Sequence, residues 1–427
     1  MAVCIGIDLG TSGCRGVALD AGATIIASAR AALPVPQRSD TGISQDPGLW
    51  WQAVNSVLTD LASQLRGESV RRMAVNGTSA TLVACDGEGN PLLPALMYND
   101  QRPLKYAHHI ARFAPRDSGG HGVSSSLAKY LWYADKLDGR DFHVLHQSDW
   151  ITGRLSGSRG VSDYNNCLKL GYDAQQLRWP QWMERAGIER ERFPQVVAPG
   201  ASVGTLRSDL AAGWGLPDGI QLVAGTTDSV AACIAAGVDR AGSGVTSLGS
   251  TLVIKLLAER PLFAPEYGVY SHRLGDFWLV GGASNSGGAV LKQFFSQQQL
   301  DHMTPQLQPH RDTGLNYYPL PGKGERFPLN DPCRLPRMQP PATSPVQQFQ
   351  GILEGIARIE ATGYSKLLEL GAPLLDTVYT AGRGADNDAW TRIRQRYLGD
   401  SVVMRPARFT EAACGTALLA WRRKPLP

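Results

Sequence analysis

At 427 residues the chain is long enough for two domains, each burying its own core. Hydrophobic residues at 43% and charged residues at 19% make an ordinary globular composition, and 42 Lys and Arg against 38 Asp and Glu leave a net charge of +4. That small excess excludes the strong basic footprint of a nucleic-acid or membrane partner, although local groups can still hold a small anion.

The seven cysteines (Cys4, Cys14, Cys85, Cys167, Cys233, Cys333, Cys414) are scattered, with no C-x-x-C pair. They read as thiols in a reducing cytosol, not as a disulfide framework or zinc site. The longest small-apolar run, Val230 to Val238, falls far short of the roughly 20 residues that span a bilayer. A strand-like run beginning at Ala2 leaves no room for a signal or transit peptide, so a cytoplasmic protein is expected.

In chain order, Val3 to Ile7 reads as a strand, followed by the acidic Gly-rich turn Asp8-Leu9-Gly10-Thr11-Ser12-Gly13. Strands at Cys14 to Leu19 and Thr24 to Ala29 complete a meander joined by tight turns. Pro47 to Leu65 has helical spacing (Leu49, Val54, Val57, Leu58, Leu61) and opens on Asp46 and Pro47 as N-cap and first helical residue. Arg72 to Val75 is a further strand, ending in Asn76-Gly77-Thr78-Ser79. A related order returns about 240 residues later: Ser243 to Leu248, the turn Gly249-Ser250-Thr251, Leu252 to Leu257, then Phe277 to Val280 ending in Gly281-Gly282-Ala283-Ser284-Asn285. Duplicated halves fit this pattern, with a boundary near Gly237 to Gly242. Leu300 to Ser344, rich in Pro, Gln and His, reads as a surface excursion. A helix is expected from Pro345 to about Leu370, and a small-residue helix from Glu411 to Trp421, closed by Arg422-Arg423-Lys424 as solvated helix-end charges.

Four loops can carry chemistry, and each has a plain reading beside it. Asp8 to Gly13 is either a simple turn or a phosphate grip, in which glycines admit backbone N–H groups, Thr11 and Ser12 add hydroxyls, and Asp8 holds Mg²⁺ directly or through water. Gly249-Ser250-Thr251 is a turn or the matching second clamp. Thr380 to Asn387 joins a strand to a helix. It is either an ordinary connection capped by Asp386 or Asn387, or a place where a nucleotide lies on backbone. In Gly225-Thr226-Thr227-Asp228-Ser229, Asp228 or Thr227 can cap the following helix, and Asp228 can equally accept a proton. The two roles are compatible, because a helix N-terminus favours the ionised form. The G-x-x-x-x-G-K-[ST], H-R-D, D-F-G and H-E-x-x-H motifs are all missing, which excludes P-loop enzymes, protein kinases and zincins. The His108-His109 doublet reads as surface.

Taken together these loops resemble the FGGY carbohydrate kinases, a family within the actin, Hsp70 and hexokinase fold. The carrying stretches are Ile5 to Ser12, Gly225 to Ser229, Ser247 to Thr251 and Ala381 to Asn387. Tyr98 to Arg102, Ser148 to Gly157 and Glu411 to Ala417 add to them. Within the family the chain is more similar to the compact, xylulose-kinase-like D-ribulose kinases of cyanobacteria and plants. That likeness rests on Asn76 to Ser79, Ser124 to Lys129, Asp163 to Tyr172 and Tyr317 to Pro328. The chain departs from the family at Arg383, where glycine is usual, and at Tyr98, where many relatives have Trp. A side chain at Arg383 either crowds adenine and ribose or adds a phosphate contact.

The resemblance implies an α/β fold of two actin-like, ribonuclease-H-like lobes with a cleft between them. Residues 1–240 would form the sugar lobe and 241–427 the nucleotide lobe, with the last helix able to pack back on the first. It implies Asp228 as catalytic base, and Asp8, Ser79, Tyr98, Asn99 and Asp228 around a ketopentose, D-ribulose first and D-xylulose as the alternative. ATP would be held by Thr11, Ser12, Gly13, Gly249, Ser250, Thr251, Gly382, Arg383, Gly384 and Asn387, with Mg²⁺ at Asp8. A monomer or weak homo-oligomer is expected, with a small sugar as partner and neither nucleic acid nor membrane. Other readings are an actin- or Hsp70-like ATPase switch and a non-catalytic sugar sensor.

Overall fold

Three antiparallel strands joined by tight turns open the chain in the computed structural model, which describes residues 1–422. Of the cations expected to close the last helix, Arg423 and Lys424 lie outside the described residues. The chain divides into two compact units. One contains Met1–Ala235 with Arg273–Gly275 and, among the described residues, 411–422, and the other contains Ala236–His272 with Asp276–Thr410.

In the first unit the strands Ala2–Leu9, Gly13–Asp20 and Ile25–Ala32 form the meander. Ser69–Gly77 then adds parallel to Ala2–Leu9, Gln221–Val223 adds parallel to Ser69–Gly77, and Ser202–Thr205 closes the six-stranded sheet at one edge. The helix Pro47–Gln64 starts where expected, because Asp46 accepts the Gly48 N–H and proline needs no donor at the first position. Its apolar face (Trp50, Val54, Val57, Leu58, Leu61) is fully buried against the sheet, and each such side chain contributes about 1.5–3 kcal/mol. The opposite face is covered by the last helix, Ala412–Trp421. Gly6 admits it, since a Cβ there would collide with the Ala413 carbonyl oxygen. A second, five-stranded sheet carries Gln37–Arg38, Ile43–Gln45, Leu82–Cys85, Ala95–Leu96 and His143–His146.

The second unit repeats the arrangement. Ser243–Leu248, Leu252–Ala258 and Phe277–Ser284 form the meander, and Thr377–Ala381 and Val403–Pro406 extend it in parallel. The counterpart of Ser69–Gly77 is therefore Thr377–Ala381, not the expected Phe277–Val280, which is the third meander strand. The glycines that suggested a loop there, Gly281 and Gly282, lie within the strand. A Cβ on either would meet the Ile254 carbonyl or the Phe327 ring. As in the first unit, a helix precedes that strand: Pro345–Glu369, capped by Ser344. Cys333 is exposed and the other six cysteines are buried, all with free thiols. Among the described residues no helix is long and apolar enough to cross a membrane.

Candidate active site

Parallel strands of one sheet end on the same edge, so the first unit gathers its chemistry there. Asp8 lies opposite Asn76, and Gly77 bridges to Thr227. In open α/β sheets this carboxyl edge is where ligands bind. Asp8 is 6% exposed, accepts a hydrogen bond from the Asn76 amide, and stands 3.7 Å from the Arg15 guanidinium. Burial first, and the nearby Asp228 second, push its carboxyl up to about 7 against the pull of Arg15. Asn76 also donates to Thr416 Oγ1 on the last helix, while its Oδ1 has no partner among the described residues.

Gly225 brings the second carboxylate to this edge. A Cβ at Gly225 would collide with the Val75 carbonyl oxygen, so glycine is needed for the loop to lie against the central strand. Asp228 then begins the helix Asp228–Ala236, two residues earlier than its apolar pattern suggests. It is the first helical residue, which leaves Thr227 as the residue just before the helix, and Asp228 Oδ1 accepts the N–H of its own neighbour Ser229 at 2.7 Å. Burial raises its pKa, opposed by the Ser229 N–H, the charge of Lys169 and the Ser79 N–H. The residue as a whole is half-buried.

Ser79 therefore stands beside Asp228 through its backbone, and its hydroxyl side is half-buried. Tyr98 and Asn99 belong to the same neighbourhood. The Tyr98 N–H donates to Thr81 Oγ1 at 3.1 Å and its ring is 42% exposed, while the buried Asn99 Oδ1 has no partner among the described residues. Thr11, Ser12 and Gly13 form the turn directly after Asp8, closed by Gly10 N–H to the Gly13 carbonyl at 2.9 Å. Ser12 is exposed and Thr11 half-buried.

The second unit assembles its own loop pair. Gly382 adopts a left-handed φ of +83°, and a Cβ there would lie 2.8 Å from the Leu248 carbonyl oxygen. A Cβ on Gly384 would strike the Trp390 ring. Both glycines thus press the Gly382–Gly384 loop onto Leu248, immediately before Gly249-Ser250-Thr251. The side chain of Arg383, between them, is exposed. Asn387 takes its plain role: Oδ1 accepts the Trp390 N–H at 2.9 Å and caps the helix Asp388–Leu398.

In the two phosphate-type turns, Gly10 and Gly249 are not demanded by packing. The nearest atom to a Cβ on Gly10 is the Gly13 carbonyl oxygen at 3.5 Å, and on Gly249 the Thr251 carbonyl oxygen at 3.6 Å. Neither has a left-handed φ. Space kept open at both turns suits a ligand that approaches backbone N–H groups.

Several residues escaped assignment of a role from sequence. Lys169 lends its charge to Asp228, and Asn165 Nδ2 bonds Thr226 Oγ1 at 3.1 Å and the Arg273 carbonyl at 2.9 Å. Lys129, fully buried, donates to the carbonyls of Ala80 and Ser124, each at 2.7 Å. The Gly287-Gly288 pair backs the second turn, with Gly288 N–H on the Gly249 carbonyl. Lys129, Asn165 and Lys169 fall in stretches that carry the resemblance, but only folding shows what they touch.

The model for the N-terminal domain of the FGGY family of carbohydrate kinases matches residues 3–235, more than half of the chain. The xylulose kinase of Escherichia coli (strain K12) is 24% identical over 436 residues, covering 97% of this chain and 89% of that protein. That of Streptomyces coelicolor is 27% identical over 426 residues, covering 95% and 84%. Among solved structures, a ligand-bound xylulose kinase from Lactobacillus acidophilus superposes with a TM-score of 0.86 at 17% identity, covering 98% of this chain and 89% of that one. The glycerol kinase of Plasmodium falciparum with ADP gives 0.84 at 16% identity, with the same coverage of each chain. These likenesses show the two-lobed, actin-like ATPase fold, and the family match agrees with the strand order and the loops at its edges: the chain belongs to the FGGY family of carbohydrate kinases.

Proposed function

We propose that the protein transfers the γ-phosphoryl group of ATP to the primary C5 hydroxyl of a ketopentose, with Asp228 as the base. The observation that carries the reading is Asp228 itself. It is half-buried, its carboxylate held by the N–H groups of Ser229 and Ser79, and set beside a second acid at the carboxyl edge of a parallel sheet. Asp228 takes the hydroxyl proton as the sugar oxygen bonds to the γ-phosphorus and the bond to the β-phosphate oxygen breaks, releasing ADP. Such base catalysis contributes about 10²–10⁴-fold, and positioning and charge neutralisation supply most of the rest. Lys169 favours the ionised base, and Asn76, Ser79, Tyr98 and Asn99 surround the acceptor.

Among the described residues no cluster of three or more His, Cys, Asp and Glu could cage a metal. Mg²⁺ bound with ATP does not need one, because one or two carboxylates suffice when water and phosphate oxygens complete its shell. Asp8 fits that role, as a buried acid whose raised pKa a cation would relieve. The ion would neutralise charge on the transferring phosphate. ATP itself is assigned to the open turns at Gly10–Gly13 and Gly249–Thr251 and to the Gly382–Gly384 loop.

The named relatives favour D-xylulose as the sugar. Its C3 epimer D-ribulose is the second reading, supported by the likeness of Asn76–Ser79, Ser124–Lys129, Asp163–Tyr172 and Tyr317–Pro328 to the compact kinases. ADP release measured with D-xylulose, D-ribulose, glycerol and no sugar tests this. The expected result is release that depends on one of the two ketopentoses. Equal release without sugar would mark an ATPase switch, and sugar binding without turnover a sensor.

A further inference from the structure

We infer that Gln147 is a positioning residue for phosphoryl transfer, fixing the Thr78–Ser79 segment against the catalytic base. The inference rests on the reading of Asp228 given above. Gln147 is fully buried, at the junction of the His143–His146 strand and the Gln147–Ser156 helix. Its Oε1 accepts twice from Thr78, from the backbone N–H at 2.9 Å and from the hydroxyl at 2.9 Å. The Thr78 N–H can only donate, so it fixes which end of the amide faces the loop.

Proton counting then orders a longer chain. Thr78 Oγ1 has one proton and gives it to Gln147, so the 2.6 Å contact between the Thr78 and Thr81 hydroxyls must be donated by Thr81. Thr81 Oγ1 in turn accepts the Tyr98 N–H at 3.1 Å. Tyr98, Thr81, Thr78 and Gln147 thus form one line of hydrogen bonds running in a single direction, each strengthening the next. It joins two of the segments around the acceptor and ends on Gln147.

The next residue in the segment is Ser79, whose N–H holds the Asp228 carboxylate. Beyond it Ala80 adopts a left-handed φ of +68°, unusual for a residue with a Cβ, and its carbonyl is held by the buried Lys129. Ser79 is therefore suspended between two fixed points, Gln147 at Thr78 and Lys129 at Ala80. Gln147 Nε2 has no partner among the described residues, so the side chain is kept for its oxygen at the cost of an unmatched buried donor.

The test compares Gln147→Leu, Gln147→Glu and Thr78→Val with the wild type in sugar-dependent ADP release, with Asp228→Ala run in parallel. Gln147→Leu leaves two Thr78 donors unmatched and is expected to lower kcat/KM for the sugar about 10- to 100-fold, with KM for ATP within about twofold. Gln147→Glu retains the acceptor and is expected to restore most of that loss. Thr78→Val, which breaks only the hydroxyl line, is expected to cost about 3- to 10-fold and keeps the test open if Gln147→Leu does not fold. A purely structural role would reduce the folded fraction and leave both KM values unchanged. That result, a Gln147→Glu no better than Gln147→Leu, or a Thr78→Val at the wild-type value would overturn the inference. Wild-type activity in Asp228→Ala would instead overturn the reading of the base, whatever the Gln147 variants do.

Discussion

The turns Gly10–Gly13 and Gly249–Thr251 close corresponding hairpins of two sheets whose five shared strands run in the same order, yet their surroundings differ in kind. Beside the first stand two acids, the buried Asp8 and the half-buried Asp228, with the unmatched amide oxygens of Asn76 and Asn99 nearby. Beside the second stand glycines, Gly287-Gly288, Gly382 and Gly384, and Gly249-Ser250-Thr251 itself carries no acid. A shared topology has thus been fitted for two tasks. On the proposed reading, one edge would handle protons and hydroxyls through side chains, and the other would offer backbone to a nucleotide.

Glycine substitutions probe the contrast most sharply. Gly225→Ala drives a Cβ into the Val75 carbonyl and is expected to cost about 3 kcal/mol, read as lost thermal stability together with lost activity. Gly249→Ala, whose Cβ meets nothing closer than 3.6 Å, should leave stability near the wild type and raise KM for ATP. An unchanged KM there would remove the ligand argument for that open turn.

Gly382→Ala should follow, because its φ of +83° and the nearby Leu248 carbonyl strain any side chain by about 1–3 kcal/mol. The expected signature is a raised KM for ATP with KM for sugar unchanged.

Asp8→Asn separates stability from activity. A carboxyl raised to about 7 is more easily protonated in the folded chain than in the unfolded one, so it is no burden near pH 4 and costs stability increasingly as pH rises through 7. Asp8→Asn should therefore raise Tm at pH 8, by about 2–4 °C per kcal/mol relieved, and gain little at pH 5. It should also lower activity. A Tm gain equal at both pH values would contradict the assigned cause.

The smallest effect is expected at Arg383. Its exposed side chain leaves the flanking glycines to hold the loop, so Arg383→Gly should change KM for ATP by no more than about threefold.

Much of the frame was legible from sequence. Asp46-Pro47 announces its helix by cap chemistry, the helix from Pro345 is signalled by its apolar spacing, and the two Gly-Ser/Thr turns mark the paired hairpins. What misled was glycine inside a strand: Gly281 and Gly282 resemble a loop, but they answer to Ile254 and Phe327, contacts distant in sequence. The same limit applies to the site. Asp8 and Asp228 stand out because turn chemistry and family pattern coincide there. Gln147 and Lys129 act by holding backbone groups dozens of residues away, and no local pattern signals that. Asn387 shows both readings at once, a loop residue proposed to contact ATP whose side-chain oxygen caps a helix.

The most direct test of the account is ADP release by the wild type and by Asp228→Asn, with and without a saturating ketopentose, each checked for folding by thermal denaturation. The account predicts that Asn keeps the fold and lowers sugar-dependent release by about 10²–10⁴-fold. Release at the wild-type rate from a folded Asp228→Asn protein would contradict it.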